Sequence, residues 1–249
     1  MSSLQKVFTI IETVVSRQAA GMTFAEITAA TGMPKASTHR ILKELLDLGV
    51  LTFAVQTARY RGSLKLANLG CEVTANLDLR TLAHSYLQSL HEATHHTVNL
   101  GIRDGDAGVY IDKIETPDYG IKLFSEVGKR FPLYCTAMGK VLLAFGKIDE
   151  RDAYLTQAFE GLTPNTIVDP QLLRMELERV RGDGVALDRE EITRGVMCVA
   201  APIIGAQEAV VGAVSIAFPA YIHTDRSIDL EVDAVRRHAA EISGVLVKG

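Results

Sequence analysis

The sequence predicts an α+β chain: a small helical head closed by a β-hairpin, then a larger body of helices on an antiparallel sheet. Apolar residues recur at helical spacing through residues 4–48 and then give way to two β-prone runs around Gln56-Thr57. Beyond residue 80, strand-like runs alternate with short helical patterns, as when strands pair with sequence neighbours and carry helices on the resulting sheet. Charge divides the same way. The net charge is −4, yet residues 1–65 hold eight Lys and Arg against four Asp and Glu, and the remainder holds 18 against 26. A basic head on an acidic body suits a module that meets phosphate, joined to one that does not.

The head reads as three helices and a hairpin. Leu4, Val7, Phe8, Ile11, Val14 and Val15 share one helical face, and Gly21 follows that helix. Thr23-Phe24-Ala25-Glu26 is a capping box that starts a second, short helix, which Gly32 stops. Pro34 suits a first helical turn, where no amide donor is needed. The third helix buries Ile41, Leu42, Leu45 and Leu48 and ends at Gly49. Runs at 50–53 and 58–61 then form the hairpin, so the order is that of a winged helix-turn-helix.

Leu64, Leu66, Leu69, Val73 and Leu77 return to helical spacing, which predicts a connecting helix. The expected domains are 1–63, a linker helix at 64–80 and a body at 81–249. Within the body, helices are expected at about 81–94, 137–145, 150–158, 170–181 and 227–245. Strands are expected at 98–103, 108–114, 121–125, 185–188, 197–203 and 210–218.

Residues 33–43 are the expected recognition helix. Lys35, Ser37, Thr38, His39, Arg40 and Lys43 carry the groups that such a helix needs, with positions 35, 39 and 43 on one line. Lys and Arg neutralise phosphates or donate to guanine, while Ser and Thr hydroxyls adapt to phosphates or base edges. Arg59 and Arg61 flank Tyr60 on the hairpin and stand within reach of a neighbouring backbone or minor groove. A charged helix face is most often merely solvated, and winged helices also serve as dimerisation modules. Here the tight Thr-Gly-Met-Pro turn before the charged helix, with two further arginines on the hairpin, favours double-stranded DNA.

Other chemistry is weaker. Cys71, Cys135 and Cys198 are odd in number and far apart, which suits reduced thiols in a cytoplasmic, soluble protein. No apolar run approaches the ~18 residues of a membrane span. His91 and His95 have metal-ligand spacing beside His96, but without carboxylate or cysteine company they read as surface or packing residues. Cys135 lacks a recognisable base, and Asp104-Gly105-Asp106 lacks the ligand count for calcium. Of Glu190 and Glu191, one is expected to support a pocket or interface and the other to be solvated. No cofactor or metal is expected. The rival to a DNA-binding regulator is an enzyme acting on a small carboxylate, its head used only for dimerisation.

The segment 32–42, Gly-Met-Pro-Lys-Ala-Ser-Thr-His-Arg-Ile-Leu, resembles the recognition helix of the IclR-type transcription regulators. Three further stretches resemble that family's later signatures, in order: 128–140, then 188–191 with 195–202, then 213–216. The resemblance implies a GAF-like effector domain, a homodimer able to pair into a tetramer, and a palindromic operator. It also implies a small carboxylic acid bound by the backbone amides of Ala137 and Met138, with Asp188, Val196 and Cys198 around it. Residues 136–140, Gly139 included, read as a helix start, where unpaired amides and the helix dipole favour an anion. Ser215 is added as a hydrogen-bonding group on the last strand. Residues 76–79, 109–114, 132–140 and 186–191 are most similar to regulators of sugar-acid catabolism that sense 2-keto-3-deoxygluconate or related acids, and repression released by the acid is the expectation.

Overall fold

A computed structural model describes residues 2–75, 78–116, 123, 125–223 and 228–248. The chain divides into two compact units, 1–75 and 76–249.

In the first unit, helices α1 (Ser3–Val15), α2 (Phe24–Thr31) and α3 (Lys35–Asp47) precede the hairpin β1 (Leu51–Ala54) and β2 (Arg59–Gly62), and α4 (Leu64–Ala75) follows. Local chemistry sets the helix ends. Thr23 and Glu26 form the reciprocal capping box of α2, and Ser2 with Gln5 does the same for α1. Gly32 ends α2 at φ 64°, a left-handed conformation that glycine adopts without a Cβ penalty. Ile10, Val14, Ile27, Ile41, Leu42, Leu45 and Leu51 then close one core. Met22 exchanges both backbone hydrogen bonds with Tyr60, which fastens the hairpin to the turn before α2.

The second unit comprises α5 (Asp78–Thr94), β3 (Thr97–Asp104), β4 (Ala107–Ile114), β5 (Arg130–Pro132), α6 (Ala137–Ala144), α7 (Ile148–Tyr154), α8 (Pro170–Asp183), β6 (Ala186–Arg189), β7 (Val196–Ile204), β8 (Val210–Pro219) and α9 (Asp229–Lys248). Six strands form one sheet in the order β5-β4-β3-β8-β7-β6, antiparallel throughout. Helices α5 and α9 pack on one face and α6 on the other, with α8 against α6. Alternation along the strands divides the core between these faces. Val98, Leu100, Val199, Ile203, Val214, Ile216 and Phe218 meet α5 and α9. Ala186, Ala200 and Ala213 turn toward α6 and α8.

Several expected elements are placed differently. Helix α4 is described as far as Ala75 and α5 from Asp78, ahead of the helix start expected at about residue 81; residues 76–77 of the expected linker helix lie outside the described residues. Helix α7 starts and stops earlier than the pattern at 150–158 suggested, with Asp149 and Glu150 in its first turn, where acidic side chains suit the dipole. Strand β5, too short to show alternation, was not anticipated. The strand expected at 121–125 lies outside the described residues, except for residues 123 and 125, which belong to no strand. Among the described residues, no helix is long and apolar enough to cross a membrane, and no group of three or more His, Cys, Asp or Glu is placed to hold a metal.

Candidate functional site

The head presents α3 as an exposed, basic ridge. Lys35, His39, Arg40 and Lys43 are exposed and Ser37 is half-buried, while Ile41, Leu42 and Leu45 hold the opposite side of the helix in the core. Arg40 pairs with Glu44 at 2.7 Å, but both side chains are more than half exposed. Such a pair contributes only about 0–1 kcal/mol, so the guanidinium is readily released to a phosphate or base. Thr38 corrects the sequence expectation. It is fully buried and its hydroxyl donates to the Pro34 carbonyl at 3.3 Å, so it supports the helix from within. The hairpin arginines also serve the head itself. Arg59 donates to the Gly21 carbonyl and pairs with Glu26, and Arg61 donates to the Ala20 carbonyl.

The second unit holds a cavity of about 390 Å³ between α6 and the sheet. Its existence follows from small residues on the α6-facing side of the strands. Across β6-β7-β8 the register sets Asp188 beside Cys198 and Cys198 beside Ala217, and the next row sets Ala200 beside Ser215 and Ser215 beside Asn99. Of these, Asp188, Cys198, Ala217, Ser215 and Asn99 line the hollow, together with Ala137 and Met138 at the start of α6.

Of the residues expected around an acid, Ala137, Met138, Asp188, Val196, Cys198 and Ser215 all line this cavity. Gly139 does not. Its amide donates to the Thr136 hydroxyl, which caps α6, and a Cβ at this position would stand 2.4 Å from the Leu133 backbone. Glycine therefore lets the helix start sit directly on the preceding chain. The cap and the helical bond from Lys140 to the Thr136 carbonyl use the amides of residues 139 and 140, which leaves those of 137 and 138 for an anion. Gly139→Ala is expected to destabilise the fold by about 1–3 kcal/mol through overpacking; an unchanged melting temperature would contradict this.

The cavity wall carries polar atoms that the protein leaves unpaired. Asn99 Oδ1, Ser125 Oγ and Asp188 Oδ2 are buried without a hydrogen-bond partner among the described residues, and all three residues line the cavity. Asn99 and Ser125 were not anticipated as site residues. Each unpaired buried polar group costs roughly 1–3 kcal/mol, so three around one hollow favour a polar occupant. Asp188 is fully buried, and its Oδ1 accepts from the Glu191 amide at 2.7 Å. Burial pushes its carboxyl up to about 7, and the Glu191 carboxylate adds to that effect.

This has a consequence for stability. A raised folded-state pKa means that the native protein holds the proton between about pH 4 and 7 while the unfolded chain releases it. Stability from this group is present at acid pH and is lost as pH rises through 7. Asp188→Asn keeps the acceptor for Glu191 and removes the charge. It is expected to gain on the order of 2 kcal/mol over the wild type at pH 8 and little at pH 4. Equal differences in unfolding free energy at both pH values would contradict the assignment.

Next to the cavity lies a buried ion cluster that sequence reading missed. Lys140 is fully buried, donates to the Leu187 carbonyl at 2.9 Å, and makes a short contact with Glu191 and a longer one, 3.4 Å, with Glu176. Arg179 braces Glu176 from outside, which together with Lys140 holds that carboxyl below its usual range despite its burial. Thr163 and Thr166 donate to the Glu191 carbonyl, so the loop that follows Asp188 is held at both backbone and side chain. Glu190 is half-buried and accepts from the Gly195 amide.

The geometry does not arm a nucleophile. Burial pushes the Cys135 thiol up to about 12 and the Cys198 thiol well above its ordinary value, and no histidine among the described residues lines the cavity. Of the three histidines weighed as ligands, His91 bonds the His96 carbonyl at 2.7 Å, His95 turns the chain out of α5 at φ 56°, and His96 packs on Phe218.

Comparison with known proteins agrees in both units. Residues 3–54 match the IclR helix-turn-helix domain, and residues 71–244 match the bacterial transcriptional regulator IclR C-terminal domain. The chain is 33% identical to the HTH-type transcriptional regulator KdgR of Escherichia coli K12, an alignment that covers 98% of this chain and 92% of that one. It is 34% identical to XynR of the same organism, over 87% of this chain and 85% of XynR. Among solved structures, the Thermotoga maritima IclR is similar with a TM-score of 0.76 at 34% identity, covering 98% of each chain. With a basic helix-turn-helix head and family matches that span both units, the chain belongs to the IclR family and is a ligand-responsive, DNA-binding transcription regulator rather than an enzyme.

Proposed function

We propose that this protein is a cytoplasmic repressor of a carboxylic- or sugar-acid catabolic operon, released from DNA when the acid occupies the second-unit cavity. The observation that carries the reading is the pairing, in one cavity, of open amides at the start of α6 with buried polar side chains that lack partners. The carboxylate of the effector sits on the amides of Ala137 and Met138. Asp188 and Ser215 hydrogen-bond its remaining polar groups, while Met138, Val196 and Cys198 shape the apolar walls. The similarity to sugar-acid regulators supports 2-keto-3-deoxygluconate as the first acid to test.

Two copies of the head, in a homodimer, meet a palindromic operator through α3, with Lys35, Ser37, His39, Arg40 and Lys43 toward the groove. The acid shifts the dimer between two arrangements because it binds one of them more tightly. A ligand that binds only the native protein raises its melting temperature, so a thermal-shift series with 2-keto-3-deoxygluconate and related acids tests the effector reading. A saturable rise is expected; no rise with any acid of the series would overturn it.

On the DNA side, Arg40→Ala is expected to weaken operator affinity by about 1–3 kcal/mol if its contact is to a base, and to lower the salt slope by about one if it is to a phosphate. Fluorescence anisotropy at several salt concentrations separates the two. Unchanged affinity throughout would remove α3 from the interface.

A further inference from the structure

The contacts assigned above leave two buried polar residues of the cavity wall, Asn99 and Ser125, without a role. Asn99 and Ser215 are register partners on β3 and β8, so their side chains leave the sheet side by side on the cavity face. Ser125 enters the same cavity from the segment before β5, and that segment is pinned because Lys113 donates to the Ser125 carbonyl at 2.9 Å. All three residues are at least nine-tenths buried. The flanking positions on β8, Ala213 and Ala217, offer no polar side-chain atom, and on β3 the Thr97 hydroxyl is already used by the Thr116 amide. Asn99 Oδ1 and Ser125 Oγ have no hydrogen-bond partner among the described residues. A wall made to hold an unsubstituted acyl chain would be apolar, since each unpaired polar group opposes binding of such a chain.

We propose that Asn99, Ser125 and Ser215 form a hydroxyl-reading subsite on the sheet wall, so that the cavity selects polyhydroxylated acids over unsubstituted acids of the same length. The proposal rests on the effector reading above and adds to it the residues that decide specificity. Asn99 is the central member, because its amide accepts and donates at once and so serves a hydroxyl in either role. A site built around a ligand hydroxyl rejects the analogue that lacks it strongly, because its own polar groups are then left unpaired.

The test is calorimetry on the full-length protein with two probes, 2-keto-3-deoxygluconate and 2-oxohexanoate. They share six carbons, the carboxylate and the keto group, and differ in the hydroxyls. Wild type is expected to prefer the hydroxylated acid by roughly 100-fold or more. Asn99→Leu is expected to reduce that preference at least ~10-fold, with weaker binding of the hydroxylated acid and equal or tighter binding of the other. Asn99→Asp, which keeps an acceptor, is expected to retain part of the preference, and a melting temperature for each variant separates misfolding from altered recognition. If wild type prefers the hydroxylated acid and Asn99→Leu preserves that preference in full, the subsite is overturned and the effector reading stands. If wild type binds both acids equally, the subsite is overturned with the anion seat intact. If wild type binds neither acid, the subsite is overturned, and the thermal-shift series decides the effector reading separately.

Discussion

Replacing Asp188 by alanine is expected to weaken effector binding by about 100-fold or more and to abolish operator release, with operator affinity in the absence of acid unchanged. Asp188 is fully buried, with Oδ1 committed to the Glu191 amide and Oδ2 unpaired at the cavity. Alanine removes the contact to the acid and leaves the Glu191 amide without its acceptor, and the loss of a charge-capable buried partner costs about 1.5–3 kcal/mol or more. Asp188→Asn divides these two losses, because it retains the acceptor for Glu191 and alters only the group that faces the cavity. Calorimetry with the acid and anisotropy with the operator, on both variants, measure the two effects apart. Effector binding by Asp188→Ala equal to that of wild type would remove Asp188 from the site.

The largest expected effect on stability belongs to Lys140. Lys140→Met has similar volume and no charge, and it strands Glu191 in a buried setting, whereas Glu176 keeps Arg179. Glu191 is 3% exposed, so its carboxylate cannot recover hydration without movement of the loop after Asp188. Breaking a buried ion pair on one side costs about 3–5 kcal/mol, largely because of the charge left behind. Denaturant unfolding is expected to show that loss. Glu191→Gln in the same chain is expected to restore part of it, because the stranded charge is then gone. A single variant as stable as wild type would show that the cluster contributes nothing, and a double variant less stable than Lys140→Met alone would refute the role of Glu191.

Elements with strong local signals were legible in the sequence. The capping box at Thr23 and Glu26, Gly32 after α2, and the hairpin around Gln56-Thr57 are written in nearest-neighbour chemistry, and all are found where that chemistry puts them. The start of α6 at Ala137 was legible for the same reason, as a helix N-terminus capped by Thr136. Thr38 was misread because its type suits DNA while its place on α3 is on the core side; the four-residue step from Pro34 to Thr38 and the apolar run at 41, 42 and 45 held the signal. Lys140 carried no expectation of its own, since its partners at 176, 187 and 191 meet it only through packing. Asn99 lay inside an apolar run and passed as a strand residue. The clue was its alternation with Val98 and Leu100, which puts it on the opposite face of β3. What hid it was that both faces of this sheet are covered, so a polar residue on either face is buried rather than solvated.

The central claim is that one cavity in the second unit controls the DNA-binding head. Ala217 is buried on the cavity wall, and Ala217→Leu fills the hollow without adding a charge. The direct measurement is operator release, followed by anisotropy of a labelled operator titrated with 2-keto-3-deoxygluconate, on wild type and on Ala217→Leu of equal operator affinity. Release from wild type with the midpoint shifted at least ~10-fold upward in the variant is the result expected of a ligand excluded from its site by added side-chain volume. Release at the same acid concentration in both proteins would contradict the claim and place the controlling site elsewhere.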